Sequence, residues 1–129
     1  MKKISCKIND NITFELRNVK ETYGHDDSLP FNADVYLRLN NSKRATYVGY
    51  AYNDGWGGDS VIRCENHQAV ISDIKDYLRD MMVPYNAYGK IGYLPASLPF
   101  LIDLMVEDCL YKGTTEYDFN KNFVPKKVC

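Results

Sequence analysis

Residues 3–64 and residues 70–110 of this 129-residue chain follow two different hydrophobic periods, and that change constrains the fold more than any other feature. Ile4, Cys6 and Ile8 alternate with Lys3, Ser5 and Lys7. After Asn9-Asp10-Asn11, Ile12, Phe14 and Leu16 alternate with Thr13, Glu15 and Arg17. A period of two split by an Asn/Asp turn predicts a half-buried hairpin. A polar loop from about Glu21 to Asn32 follows. Ala33, Val35, Leu37 and Leu39 then alternate with Asp34, Tyr36 and Arg38, and a turn at Asn40 to Lys43 leads into Ala45–Tyr52. Ser60–Cys64 reads as a short fifth strand. The pattern predicts a meander with one apolar and one wet face.

The period then becomes 3.6. Val70, Ile71, Ile74, Tyr77, Leu78, Met81 and Met82 form one stripe, which predicts a helix over 67–82 with Asn66 as N-cap and Pro84 as stop. Val83–Ala96, rich in Tyr, Gly and Pro, reads as a long loop, either a recognition loop or a lid that buries its own rings. Ser97 caps a second helix over 98–112, with Pro99 in its first turn and Gly113 at its end. That helix is so apolar that it must be buried, against the sheet or against a second copy of the chain. In the tail, 114–129, the segment Thr115–Phe119 can add an edge strand. The expectation is a single α+β domain over 1–129, with an antiparallel five- or six-stranded meander sheet packed against two helices.

Composition excludes some functions. The net charge is −1, with residues 1–20 at +3 and 111–129 at +2 around an acidic middle. That is too weak a footprint for double-stranded DNA. Cys6, Cys64, Cys109 and Cys129 contain no C-x-x-C pair, so a zinc ribbon is excluded on spacing, and reduced structural thiols are expected. Lys7, Asn9 and Asp10 interrupt the start before a leader-like apolar core develops, and no run approaches a membrane span. A cytoplasmic protein with no membrane contact is the expectation.

The richest candidate site is Tyr47-Val-Gly-Tyr-Ala-Tyr-Asn-Asp-Gly-Trp-Gly-Gly-Asp59, a tyrosine strand running into a glycine loop that holds the only tryptophan. Asp54-Gly55 suits a tight hairpin turn. Gly57-Gly58 makes the loop longer than that turn needs, and successive backbone N–H groups there could form an anion nest assisted by Lys43, Arg44 and Arg63. Asp54 and Asp59 argue against a phosphate, and no Lys-Ser or Lys-Thr follows as in a P-loop. The commonplace reading is a turn with Trp56 folded over the core; the functional one offers Trp56 to a partner.

Eleven tyrosines are many for this length. Tyr36 lies on the polar phase of its strand. Tyr47 is out of phase with Val48, Tyr50 and Tyr52, so one set or the other faces outward. Tyrosine covers ordinary sheet faces, but it is also enriched in binding surfaces. Beside Arg17 and Arg38 it could stack single-stranded bases. His25, next to Asp26 and Asp27, and His67 lack the partners that catalysis or metal binding requires. Asp73, Asp76 and Asp80, interleaved with Lys75 and Arg79, read as a solvated helix face. No catalytic residue, metal or cofactor is expected.

Phe31-Asn-Ala-Asp-Val-Tyr36, Val48-Gly49 and Asn53-Asp-Gly-Trp-Gly-Gly58 together resemble small proteins of phages and mobile elements with a Phe-x-Ala strand, a short hairpin and an Asn-Asp-Gly-x-Gly-Gly loop. The resemblance covers about thirty residues. It implies an accessory protein acting inside a bacterial cell, with no activity or catalytic residue attached. The sequence thus points to a non-enzymatic binding protein, an accessory or counter-defence factor working on a protein partner. Its expected surface is Tyr36, Arg38, Tyr50, Tyr52, Asp54, Gly55, Trp56, Gly57, Gly58 and Arg63. The alternative is a nucleotide or single-stranded nucleic-acid binder.

Overall fold

A computed structural model describes residues 2–22, 29–55 and 58–126. Trp56 and Gly57 of the candidate surface, and His25 with its neighbouring aspartates, lie outside the described residues. Strands β1 (Lys2–Lys7), β2 (Ile12–Glu21), β3 (Phe31–Leu39), β4 (Thr46–Asn53) and β5 (Val61–Cys64) follow the alternation and pair antiparallel in sequence order. Helix α1 (Gln68–Arg79), strands β6 (Met81–Ala87) and β7 (Lys90–Pro95), and helix α2 (Leu98–Lys112) come next. Strand β8 (Glu116–Tyr117), helix α3 (Phe119–Asn122) and strand β9 (Val124–Pro125) complete the chain.

The main sheet is an α+β sheet of six strands in the order β5-β4-β3-β2-β1-β8, but it is not a pure meander. The tail strand β8 joins the β1 edge in parallel, with Ser5 opposite Glu116 and Cys6 opposite Tyr117. A second sheet, β7-β6-β9, replaces the expected long loop. Tyr88 (φ 54°) and Gly89 (φ 78°) form its two-residue turn, the positive-φ geometry that suits strand twist. Tyr88 is fully exposed and Tyr85 is exposed, its ring lying over Gly92, so this hairpin is not a lid that buries its own rings. The first helix stops at Arg79, and Met81 and Met82 enter β6 instead. Met81 O accepts from Ala96 N at 3.2 Å, and Asp80 O accepts from Lys126 N at 3.0 Å. Met81 stays buried in the strand, so the apolar stripe continues through a change of period.

His67, rather than Asn66, is the N-cap of α1, in the left-handed region and with no side-chain cap bond. Ser97 caps α2 by accepting from Phe100 N, and Gly113 closes it at φ 68°. Helix α2 packs on β1 and β2 of the main sheet, and α1 packs against α2 and β6. Phe14, Leu16, Val35, Leu37 and Val48 meet Leu101, Ile102, Met105 and Val106 of α2 and Ile74 and Leu78 of α1 in one continuous core. The apolar face of α2 is therefore satisfied within its own chain. Phe119 and Phe123 stack at 4.6 Å and anchor the tail in the same core.

Candidate functional site

Covering one face of the main sheet leaves the other face open, and a β-bulge decides which side chains stand on it. Val35 pairs with Gly49 but Tyr36 pairs with Tyr47, so Val48 is the extra residue of a bulge in β4. The bulge shifts the phase by one. Val48, Ala51 and Asn53 point into the core, while Tyr47, Tyr50 and Tyr52 share the open face. The two sets of tyrosines that strict alternation sets against each other are thus reconciled. Val48 O fixes the bulge by accepting from Glu65 N at 2.7 Å and Asn66 N at 3.0 Å. Gly49 makes it possible sterically: a Cβ there would run into the Arg63 carbonyl, 2.9 Å from its carbon and 3.1 Å from Cys64 Cα.

The open face is organised in cross-strand rows. Ser5, Glu15, Tyr36 and Tyr47 form one, and Arg17, Asp34, Tyr50 and Arg63 another. Glu15 is almost fully buried and holds two arginines. Its Oε1 accepts from Arg17 Nε at 2.9 Å and its Oε2 from Arg38 Nε at 3.2 Å. The bond to Glu15 raises the Arg17 pKa further above its ordinary value and keeps the guanidinium charged. Arg17 in turn lies 4.2 Å over the Tyr36 ring. Tyr47 meets Tyr36 edge-on at 5.6 Å, and Tyr50 and Tyr52 stack at 6.1 Å. Among the described residues, Lys3, Lys7, Arg17, Lys20, Arg38 and Arg63 stand here against Glu15, Asp34 and Glu116, a surplus of three positive charges on a chain of net charge −1.

The glycine loop continues from β4 and is held from inside. Asn53, 5% exposed, accepts from Gly55 N at 2.8 Å and donates to Gly58 O at 3.1 Å and Ser60 Oγ at 3.3 Å. The Ser60 hydroxyl donates to Asp103 of α2. Burial raises the Asp103 carboxyl pKa, the Ser60 bond opposes this, and Asp59 and Glu107 add to the rise. Gly55 takes φ 80°, which suits glycine in this turn. Its N–H is spent on Asn53, which removes one donor from the anion-nest reading.

The structure therefore gathers Tyr36, Arg38, Tyr50, Tyr52 and Arg63 on one face, with Asp54, Gly55 and Gly58 at the end of β4. Glu15, Asn53, Asp103 and Gly49 are the residues that position them. Glu15 had a visible signal, its place two residues from Arg17 on the wet phase. Asn53 and Asp103 lie fifty residues apart and had none. Among the described residues no cluster of three His, Cys, Asp or Glu side chains could hold a metal, and no helix is long and apolar enough to cross a membrane. His67 is exposed at a helix start. Comparison with protein-family models, curated proteins and solved structures returned no match, so the face is interpreted from its own chemistry.

Proposed function

We propose that this chain is a non-enzymatic binding module that docks an acidic protein surface on the open face of its main sheet. One observation carries the reading: the Val48 bulge places three tyrosines of β4 beside Tyr36, among arginines locked by a buried carboxylate. Tyrosine and arginine dominate protein hot spots, and rigid rings lose little entropy on contact. The positive surplus selects an acidic partner. The resemblance of Phe31–Gly58 to phage and mobile-element proteins supplies the setting, an accessory or counter-defence factor acting on host machinery inside the cell.

The charge surplus also favours a second reading, a single-stranded nucleic acid. Base stacking needs free ring faces, whereas Arg17 occupies a face of Tyr36 and Tyr50 stacks on Tyr52. The protein reading is therefore preferred. A thermal-shift titration with single-stranded oligonucleotides separates the two. A ligand at 100 times its Kd adds about 2.7 kcal/mol of apparent stability, and such a shift would favour nucleic acid. The protein reading is tested by capture from bacterial lysate with native protein, Tyr50→Ala/Tyr52→Ala, and Tyr88→Ala on the distant hairpin. Loss in the first variant alone is the expected result, and equal capture by all three would remove the proposed surface.

A further inference from the structure

We propose that the cleft at the β1–β8 side of the open face is a binding site for a single oxyanion, a carboxylate or a phosphate group. The cleft has a volume of about 490 Å³. It exists because β8 is only two residues long and pairs with β1 only at Ser5 and Cys6. Lys3 and Lys7 flank that pairing on β1, and Arg38 closes the cleft from β3. Ser5 and Thr13 line it between them, with the Ser5 hydroxyl donating to Thr115 O at 3.5 Å.

Two carboxylates also line the cleft, Glu15 and Glu116. Glu15 is already neutralised, with one oxygen on Arg17 and the other on Arg38. A guanidinium has five N–H donors, and Glu15 takes the Nε donor of Arg38. The planar head of Arg38 is thus fixed in orientation by a buried partner while its terminal nitrogens carry further donors, the arrangement suited to bidentate recognition of an oxyanion. The charge balance also favours an anion. Lys3, Lys7 and Arg38 line the cleft against Glu15 and Glu116, leaving one positive charge, and Arg17 outside it also bonds Glu15. Lys7 has an acidic neighbour in Asp10 at 4.0 Å, an exposed contact that water screens. Among the described lining residues, Glu116 is the carboxylate without a basic partner of its own to offset its repulsion of the ligand. The site stands whether or not the tyrosine rows dock a protein; if they do, the anion is an acidic group of that partner.

The test is a titration of the intact protein with inorganic phosphate and, separately, acetate, at constant ionic strength set with chloride, followed by amide chemical shifts. The expected result is a saturable shift confined to amides around Ser5, Thr13, Arg38 and Thr115, with a dissociation constant of about 1 mM. Lys3→Ala/Lys7→Ala changes two exposed side chains and leaves the core intact; it should weaken binding about tenfold. Glu116→Gln should tighten it, and Lys90→Ala, on the β6–β7 hairpin, should leave it unchanged. Saturation by either anion supports the site, and the tighter one assigns carboxylate or phosphate. Absent or non-saturating shifts, or undiminished binding in the double-lysine variant, would overturn it. Neither result depends on capturing a protein partner.

Discussion

Gly49→Ala adds one methyl group where the backbones of β4 and β5 are in close contact. The new Cβ would press on the Arg63 carbonyl and come within 3.1 Å of Cys64 Cα. Backbone on both sides is fixed by strand pairing, so neither side yields as a flexible side chain would. Relief requires β5 to move away from β4, which strains the pairs Gly49–Cys64 and Tyr50–Arg63 and the bonds from Glu65 and Asn66 to Val48 O. Overpacking costs about 1–3 kcal/mol, and one weakened backbone bond adds about 1 kcal/mol. Replacing glycine returns about 0.4–1 kcal/mol through the unfolded chain. The net loss is about 2 kcal/mol. In urea, with a slope of about 1.5 kcal/mol/M, the midpoint falls by about 1 M at unchanged slope. Amide exchange should accelerate in β5 before β1 or β2, because among the described residues β5 is an edge strand paired only with β4. A midpoint equal to or above the native one would refute the steric reasoning, since only the entropy gain would then remain.

Glu15→Gln keeps the shape of the clamp and removes its charge. The two arginines are a third exposed, so the loss is discounted to about 1–2 kcal/mol and read by urea denaturation; an unchanged midpoint would deny the clamp a stabilising role. Asp103 has a raised folded-state pKa, so the folded chain binds its proton more tightly than the unfolded chain. Its contribution is fully present below its ordinary value of 3.8 and is lost as pH rises through the higher folded value. The stability of native protein relative to Asp103→Asn should therefore increase as pH falls through that window, and a flat difference would contradict the burial argument. Burial pushes the Cys6 thiol up to about 12, while Cys64 is half-buried. Alkylation of native protein at pH 8 should therefore modify Cys64 well before Cys6, as peptide mapping would show.

The two periods made most of the sheet and α2 legible. The Ser97, Pro99 and Gly113 signals marked α2 correctly because they are local. What failed was non-local. Met81 and Met82 fit both a helical stripe and a strand, and only pairing with β7 and β9 decides between them. The β6–β7 hairpin was hidden because residues 81–95 carry a single charge, Lys90, and so show no clear polar phase. The direction of the Tyr strand depended on one inserted residue, Val48, and on a glycine whose crowding comes from Arg63 and Cys64. Asn53 read as a loop residue, yet it is the buried hub of that loop.

The claim on which the rest depends is that the tyrosine rows form a docking surface for an acidic protein. Its most direct test is capture by native protein beside Tyr50→Ala/Tyr52→Ala and Tyr88→Ala, with folding of each checked by urea midpoint. Removing two hot-spot rings should weaken partner binding by about 2 kcal/mol or more, roughly thirtyfold, while Tyr88→Ala retains it and added salt weakens it further. Equal retention by a correctly folded double variant would contradict the account.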